Sequence, residues 1–315
     1  MERRARLRSG VPASPAPPRA QLLLAFAIVY VVWGSTYLAM RVAIDTLPPF
    51  LMGGVRFVIA GALLAAWVAV RERPGWPTRG QWLWALATGA LLMVGGNGGV
   101  LLAETRVPSG VVALLAASLA IWMVVLDGLR PEGPRQPPLV WVGLAVGLAG
   151  VGVLVGPARL AGAGTVDPIG AAFALGGSLA WAAGSLLSRG RGRPESALAG
   201  SALQMLCGGA LLLLLAAAHG DFTHVAGPAG APSARSLAAV AYLVVFGSLV
   251  GFTAYVWLLQ HAAPAKVATY AYVNPLVAVA LGWALGGEPL GARTLVAAAV
   301  IVGGVALITA GRARA

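Results

Sequence analysis

Residues 50–70 read FLMGGVRFVIAGALLAAWVAV, an apolar run with one charge, long enough to cross a bilayer as a helix of about 20 residues. Shifted by 148 positions, its Gly61-Ala62-Leu63-Leu64 recurs as Gly209-Ala210-Leu211-Leu212, Arg56 falls on Gln204, and Trp33 upstream falls on Trp181. A shift of 156 carries Pro108 to Pro264 and Ser118 to Asn274, and a shift of 153 carries Leu148–Val155 to Ile301–Ile308. The three offsets keep their order along the chain and differ only as loop insertions would make them differ. Two copies of one unit are therefore expected.

Working outward, the same test finds ten apolar windows, at about 21–44, 50–70, 81–103, 108–127, 138–156, 168–188, 197–218, 236–259, 265–285 and 290–310. The expected fold is all-α and integral to the membrane, with ten transmembrane helices in two five-helix repeats, 21–156 and 168–310, behind a disordered cytoplasmic tail, 1–20. Five is odd, so the second repeat must enter the membrane from the opposite side. Inverted-topology repeats of this kind build transporters around a site near the bilayer midplane.

Composition agrees. Of 315 residues 59% are hydrophobic and 10% charged, against about 45–50% and 25% in soluble domains. The net charge of +12 could suit nucleic acid, but the arginines stand in short clusters between apolar runs rather than on one basic face, so no nucleic-acid partner is expected. With the N-terminus cytoplasmic, sixteen Lys and Arg fall on that side and five (Arg41, Arg106, Arg159, Arg235, Arg293) on the other, Arg56 lying within a helix. The positive-inside rule then places both termini in the cytoplasm. The single cysteine, Cys207, excludes an internal disulfide.

Trp33-Gly34-Ser35-Thr36-Tyr37 followed by Arg41, then Leu47-Pro48-Pro49-Phe50 and Arg56-Phe57, resembles the first helix pair of the drug/metabolite transporter superfamily, the EamA-type ten-helix permeases. Thr269-Tyr270-Ala271-Tyr272-Val273-Asn274-Pro275-Leu276 and Gly286-Gly287-Glu288-Pro289-Leu290 resemble its ninth helix and the turn that follows. The resemblance covers about residues 21–310 and is nearest to bacterial inner-membrane drug/metabolite exporters. It implies ten helices, cytoplasmic termini, and a central cavity lined by the helices before the last one of each repeat. The superfamily carries amino acids, nucleotide sugars, cations and other metabolites, so the substrate stays open.

Candidate site residues follow from what is costly in a bilayer. Arg56 is the one ionisable residue well inside a window, about 9 Å from the helix start at 1.5 Å per residue. Unpaired, it costs at least about 2.5 kcal/mol, so it either snorkels outward or forms a site for a substrate carboxylate. Asn97 sits at similar depth in Gly95-Gly96-Asn97-Gly98-Gly99, a break that serves helix packing or ligand contact. Asn274 lies near the midplane beside Tyr270 and Tyr272, and Pro275 withholds a backbone N–H, so a kink and hinge are expected there, with Ser118 as the proline-free repeat partner of Asn274. Trp33, Trp181 and Tyr37 complete the substrate-binding set, the indoles being able to stack on flat or cationic ligands. Trp76, Trp82, Trp84 and Trp141 read as anchors at the membrane interface.

No acid lies deep in a window, so proton coupling would have to run through a group at a cavity mouth, with Glu104 the foremost and Arg106 its loop partner. His219, Asp221 and His224 lack a fourth ligand, so no metal is expected. No Gly-Lys-Ser/Thr follows a glycine run, and no cofactor or direct ATP use is expected. The reading is a secondary transporter of small metabolites or drugs, expected to export, working by alternating access in the bacterial inner membrane as monomer or homodimer, its partners being lipid and a small-molecule substrate. A membrane-embedded enzyme on lipid-linked substrates and a passive facilitator or channel are the alternatives.

Overall fold

The computed structural model describes residues 18–73, 75–129, 136–155, 166–188, 190, 192–226, 230–262, 267 and 269–313, and every regular element among them is helical. In chain order they are α1 (Arg19–Ala43), α2 (Pro49–Arg71), α3 (Arg79–Glu104), α4 (Ser109–Ala116 continued by Leu119–Gly128), α5 (Pro138–Val155), α6 (Pro168–Leu187), α7 (Ala197–His219), α8 (Ala234–His261), α9 (Tyr270–Gly286) and α10 (Ala292–Ala313), with a six-residue helix, Asp221–Ala226, after α7. Eight of these are long and apolar enough to cross a membrane, and Pro138–Leu154 and Val273–Gly286 are shorter apolar helices.

Local chemistry sets the ends. Pro49 and Pro168 open α2 and α6, where the missing N–H has no helical partner to lose. Thr78 and Gln81 form a reciprocal capping box at α3, and Asp167 accepts from the Ile169 and Gly170 amides at α6. Left-handed Gly220 and Gly287, at φ 82° and 65°, end α7 and α9.

The exposure pattern is the inverse of a water-soluble protein. Leu24, Val70, Leu214 and Leu285 are 62–74% exposed, while Thr88, Glu104 and Ser109 have no exposed surface. A solvent of hydrocarbon on the outside makes both sensible. Trp76 and Trp141 face outward, but Trp84 is buried on Ala85 and Leu203, so it is a core residue and not an interface anchor.

Two antiparallel helix pairs form the seams. A Cβ at Gly61 of α2 would lie 2.9 Å from the Leu206 amide of α7, and one at Gly209 of α7 would lie 2.8 Å from the Val58 amide of α2. The 148-residue shift exchanges these two contacts, since it carries Gly61 to Gly209 and Val58 to Leu206. Similarly α5 meets α10 where a Cβ at Gly304 would lie 2.7 Å from Gly147 Cα. Small residues let helices approach closely where lipid supplies no hydrophobic drive.

Two helices widen in mid-course. Ala90–Asn97 of α3 and Leu243–Val250 of α8 are π-helical, and a shift of 153 superposes one segment on the other from end to end. The glycine run around Asn97 is thus a widened helix and not a break. In α4 the helix is interrupted at Ala117–Ser118 without a proline, whereas α9 runs as one helix from Tyr270 to Gly286 through Pro275.

Candidate functional site: a cavity among eight helices

Between the two seams lies a cavity of about 160 Å³, lined from α1–α4 and α6–α9; no described residue of α5 or α10 lines it. Each repeat thus contributes four helices. The widened segments of α3 and α8 both reach it, through Met93, Gly96 and Asn97 and through Gly247 and Ser248. π-turns inside α-helices frequently mark functional sites.

Seven of the nine expected binding residues stand on this wall: Trp33, Tyr37, Arg56, Asn97, Trp181, Tyr270 and Asn274. Trp33 donates its indole N–H to the Gly247 carbonyl at 3.1 Å and packs against Tyr255, Tyr270 and Phe252 with ring centroids 5.0, 5.3 and 6.2 Å away. Asn97 turns its Nδ2 back onto the Leu92 carbonyl at 3.3 Å, a helix-internal bond. Trp181 packs against Gly96, which leaves room for it because a Cβ there would clash with the indole. Asn274 is 7% exposed, and its Oδ1 has no hydrogen-bond partner among the described residues.

Arg56 does not snorkel. It is 6% exposed, donates Nε to Ser248 Oγ at 3.2 Å, and lies 4.7 Å from the Phe57 ring centroid. Among the described residues no carboxylate comes within ion-pair distance of it.

The remaining residues fall elsewhere. Ser118 is buried behind the wall, its Oγ without a partner, while its neighbours Ala116 and Leu119 line the cavity. The side chain of Tyr272 lies outside the described residues, as does that of His224. Pro275 is inside α9, one residue beyond Asn274. His219 pairs with Asp221 at 2.7 Å, and no group of three metal-ligating side chains occurs among the described residues.

Glu104 corrects the sequence reading. Arg106 pairs with Asp167 at 3.2 Å instead, and Glu104 is fully buried with neither carboxylate oxygen hydrogen-bonded. Its backbone carbonyl accepts from Arg41 Nη1. Being the last residue of a helix did not make it a loop residue: Arg41 reaches its carbonyl, and Glu288 in the turn after α9 is near enough to act on its carboxyl electrostatically. There Glu288 accepts the Ser109 and Gly110 amides at 2.6 and 3.0 Å, capping α4. A second cavity of about 510 Å³ opens at this end, lined by Arg41, Asp45, Arg106, Arg235 and Glu288 among others. At its edge the Gly170 amide, with Ile169 and Arg106, holds the Asp167 carboxyl below the usual carboxylate range.

Ser248, Gly247 and Phe252 were not anticipated from the sequence. Their one signal was positional, since a shift of 153 places Ser248 on Gly95 of the glycine run.

The sequence profile of the EamA-like transporter family matches residues 21–156 and again 168–310. The chain belongs to that family. The inner membrane transporter YedA of Escherichia coli strain K12 is 39% identical over 285 residues, 90% of this chain and 89% of its own. The transporter YvbV of Bacillus subtilis strain 168 is 27% identical, covering 92% and 91%. A solved crystal structure, 23% identical, covers 93% of this chain and 98% of its own with a TM-score of 0.63 and shares the fold. As a member of the EamA-like family, the protein is a membrane transporter, and the buried Arg56 and Asn274 on the cavity wall are the features its transport function has to explain.

Proposed function

We propose that this EamA-like protein is a secondary transporter of small molecules in the bacterial inner membrane, operating by alternating access. The reading has ten helices in two inverted five-helix repeats, with both termini cytoplasmic and export as the direction. The observation that carries it is a cavity lined by four helices of each repeat, with a buried arginine and a buried amide on its wall. The exchange of the Gly61 and Gly209 contacts under one sequence shift supports a two-fold relation between the repeats. For antiparallel partners, such an axis lies in the membrane plane and makes the inverted repeat.

Pro275 acts as hinge in this reading, and Glu104 is the group through which protons would couple, near the second cavity and not within a span's centre. YedA is named as an inner membrane transporter, which supports the location. Counterflow in proteoliposomes tests the proposal: saturable, trans-stimulated uptake of a substrate is expected. Flux that rises linearly with concentration and ignores the opposite side favours a channel, and turnover of a lipid-linked substrate without flux favours an enzyme.

A further inference from the structure

We propose that the central cavity selects small organic monoanions, holding a carboxylate on the guanidinium of Arg56; this rests on the transporter reading of the same cavity. Arg56 is the one charged residue among the described residues that line it. A cation buried 94%, with no carboxylate in ion-pair range among the described residues and Glu104 acting on it only from farther away, leaves an opening for an anion in a low-dielectric wall. Nε is taken up by Ser248, so the two Nη groups, which bond to no described residue, are left as a fork. That fork stays uncovered because position 247 is glycine, whose missing Cβ would lie 3.2 Å from Nη2. A planar carboxylate matches such a fork with two parallel hydrogen bonds.

The single charge on the described wall sets the expected valence. One arginine neutralises one negative charge, whereas a phosphate dianion would leave a net charge buried and a cation would add a second. The unpartnered Oδ1 of Asn274 can take a hydrogen-bond donor of the ligand, and Trp33, Trp181 and Phe252 surround its apolar body. About 160 Å³ is small beside the roughly 300–1,000 Å³ of sites for drug-sized ligands, so the ligand is small too.

The test titrates the purified full-length protein with benzoate, benzamide and benzylamine, which share a skeleton and differ in charge, reading tryptophan fluorescence, since Trp33 and Trp181 face the cavity. Benzoate is expected to bind saturably and at least about tenfold tighter than the other two. Phenyl phosphate is expected to bind more weakly than benzoate. Arg56→Gln should weaken benzoate about tenfold or more and leave benzamide unchanged, with Arg56→Lys intermediate because it keeps the charge and loses the fork. If Arg56→Gln does not fold, the wild-type series decides. Equal or tighter binding of benzylamine, benzamide or phenyl phosphate overturns the assignment, as does the absence of saturable benzoate binding. Counterflow separates the two readings. Arg56-dependent benzoate binding with no saturable exchange of benzoate would sink the transporter reading and leave the anion site. Saturable exchange of benzylamine without benzoate binding would do the reverse.

Discussion

The indole N–H of Trp33 in α1 is donated to the carbonyl of Gly247, inside the widened segment of α8. This bond ties a helix of one repeat to the cavity wall of the other. Trp33→Phe keeps a large ring and removes the donor, so a stability loss of about 1 kcal/mol is expected from the orphaned carbonyl. Flux should fall by more than stability does. Thermal unfolding and counterflow on the same preparation check this, and an unchanged rate would remove Trp33 from the site.

Close glycine contacts should be unforgiving and open ones indifferent. Gly209→Val places a Cβ against the Val58 backbone, which has no flexible end to give way, and should cost about 1–3 kcal/mol or abolish folding. Gly303→Ala, which meets nothing within 4 Å, should be neutral. Monodispersity on size-exclusion chromatography after mild heating compares them.

Asn274→Leu should abolish transport while folded protein is largely retained. Its Oδ1 has no partner to lose, so the substitution removes a polar group from the cavity and breaks no described bond of that atom. A variant that transports normally, or that only fails to fold, removes Asn274 from the binding set.

Glu104→Gln should abolish accumulation driven by a proton gradient and leave trans-stimulated exchange. A buried acid whose oxygens have no hydrogen-bond partner changes its energy strongly with protonation, and coupling requires that this change differ between the inward-open and outward-open states. Gradient-driven uptake that survives Glu104→Gln would take the coupling role away from this residue.

Topology is checked by chemistry at two serines. With Cys207 replaced, cysteines at positions 9 and 233 are expected to react with an impermeant maleimide from opposite sides of the membrane. Reaction of both from one side contradicts ten spans.

The sequence made much of this legible, for a physical reason. A span announces itself by apolar length, and residues such as Arg56 and Asn274 announce themselves because hydrocarbon makes them expensive. Glu104 hid because its cost depends on burial, and burial at a helix end is decided by which distant segments come near it, here those carrying Arg41 and Glu288. Trp84 misled similarly: an indole near a helix end anchors to lipid headgroups only if no neighbouring helix covers it. The widened turns of α3 and α8 left no trace in hydropathy, since widening a helix preserves its composition. Ser118 was found by repeat arithmetic, which fixes position along a helix but not the direction a side chain takes.

Those widened turns also set angular phase. A π-turn closes its bond one residue later than an α-turn, and one residue is about 100° of helix rotation. Each segment therefore dials the rest of its helix round relative to the half before it. Whereas deleting one residue there would absorb the rotation, returning Ala90–Asn97 or Leu243–Val250 to α-geometry with every residue kept would leave length and hydropathy almost intact. It would swing Phe252, beyond the second segment, away from the face that now lines the cavity.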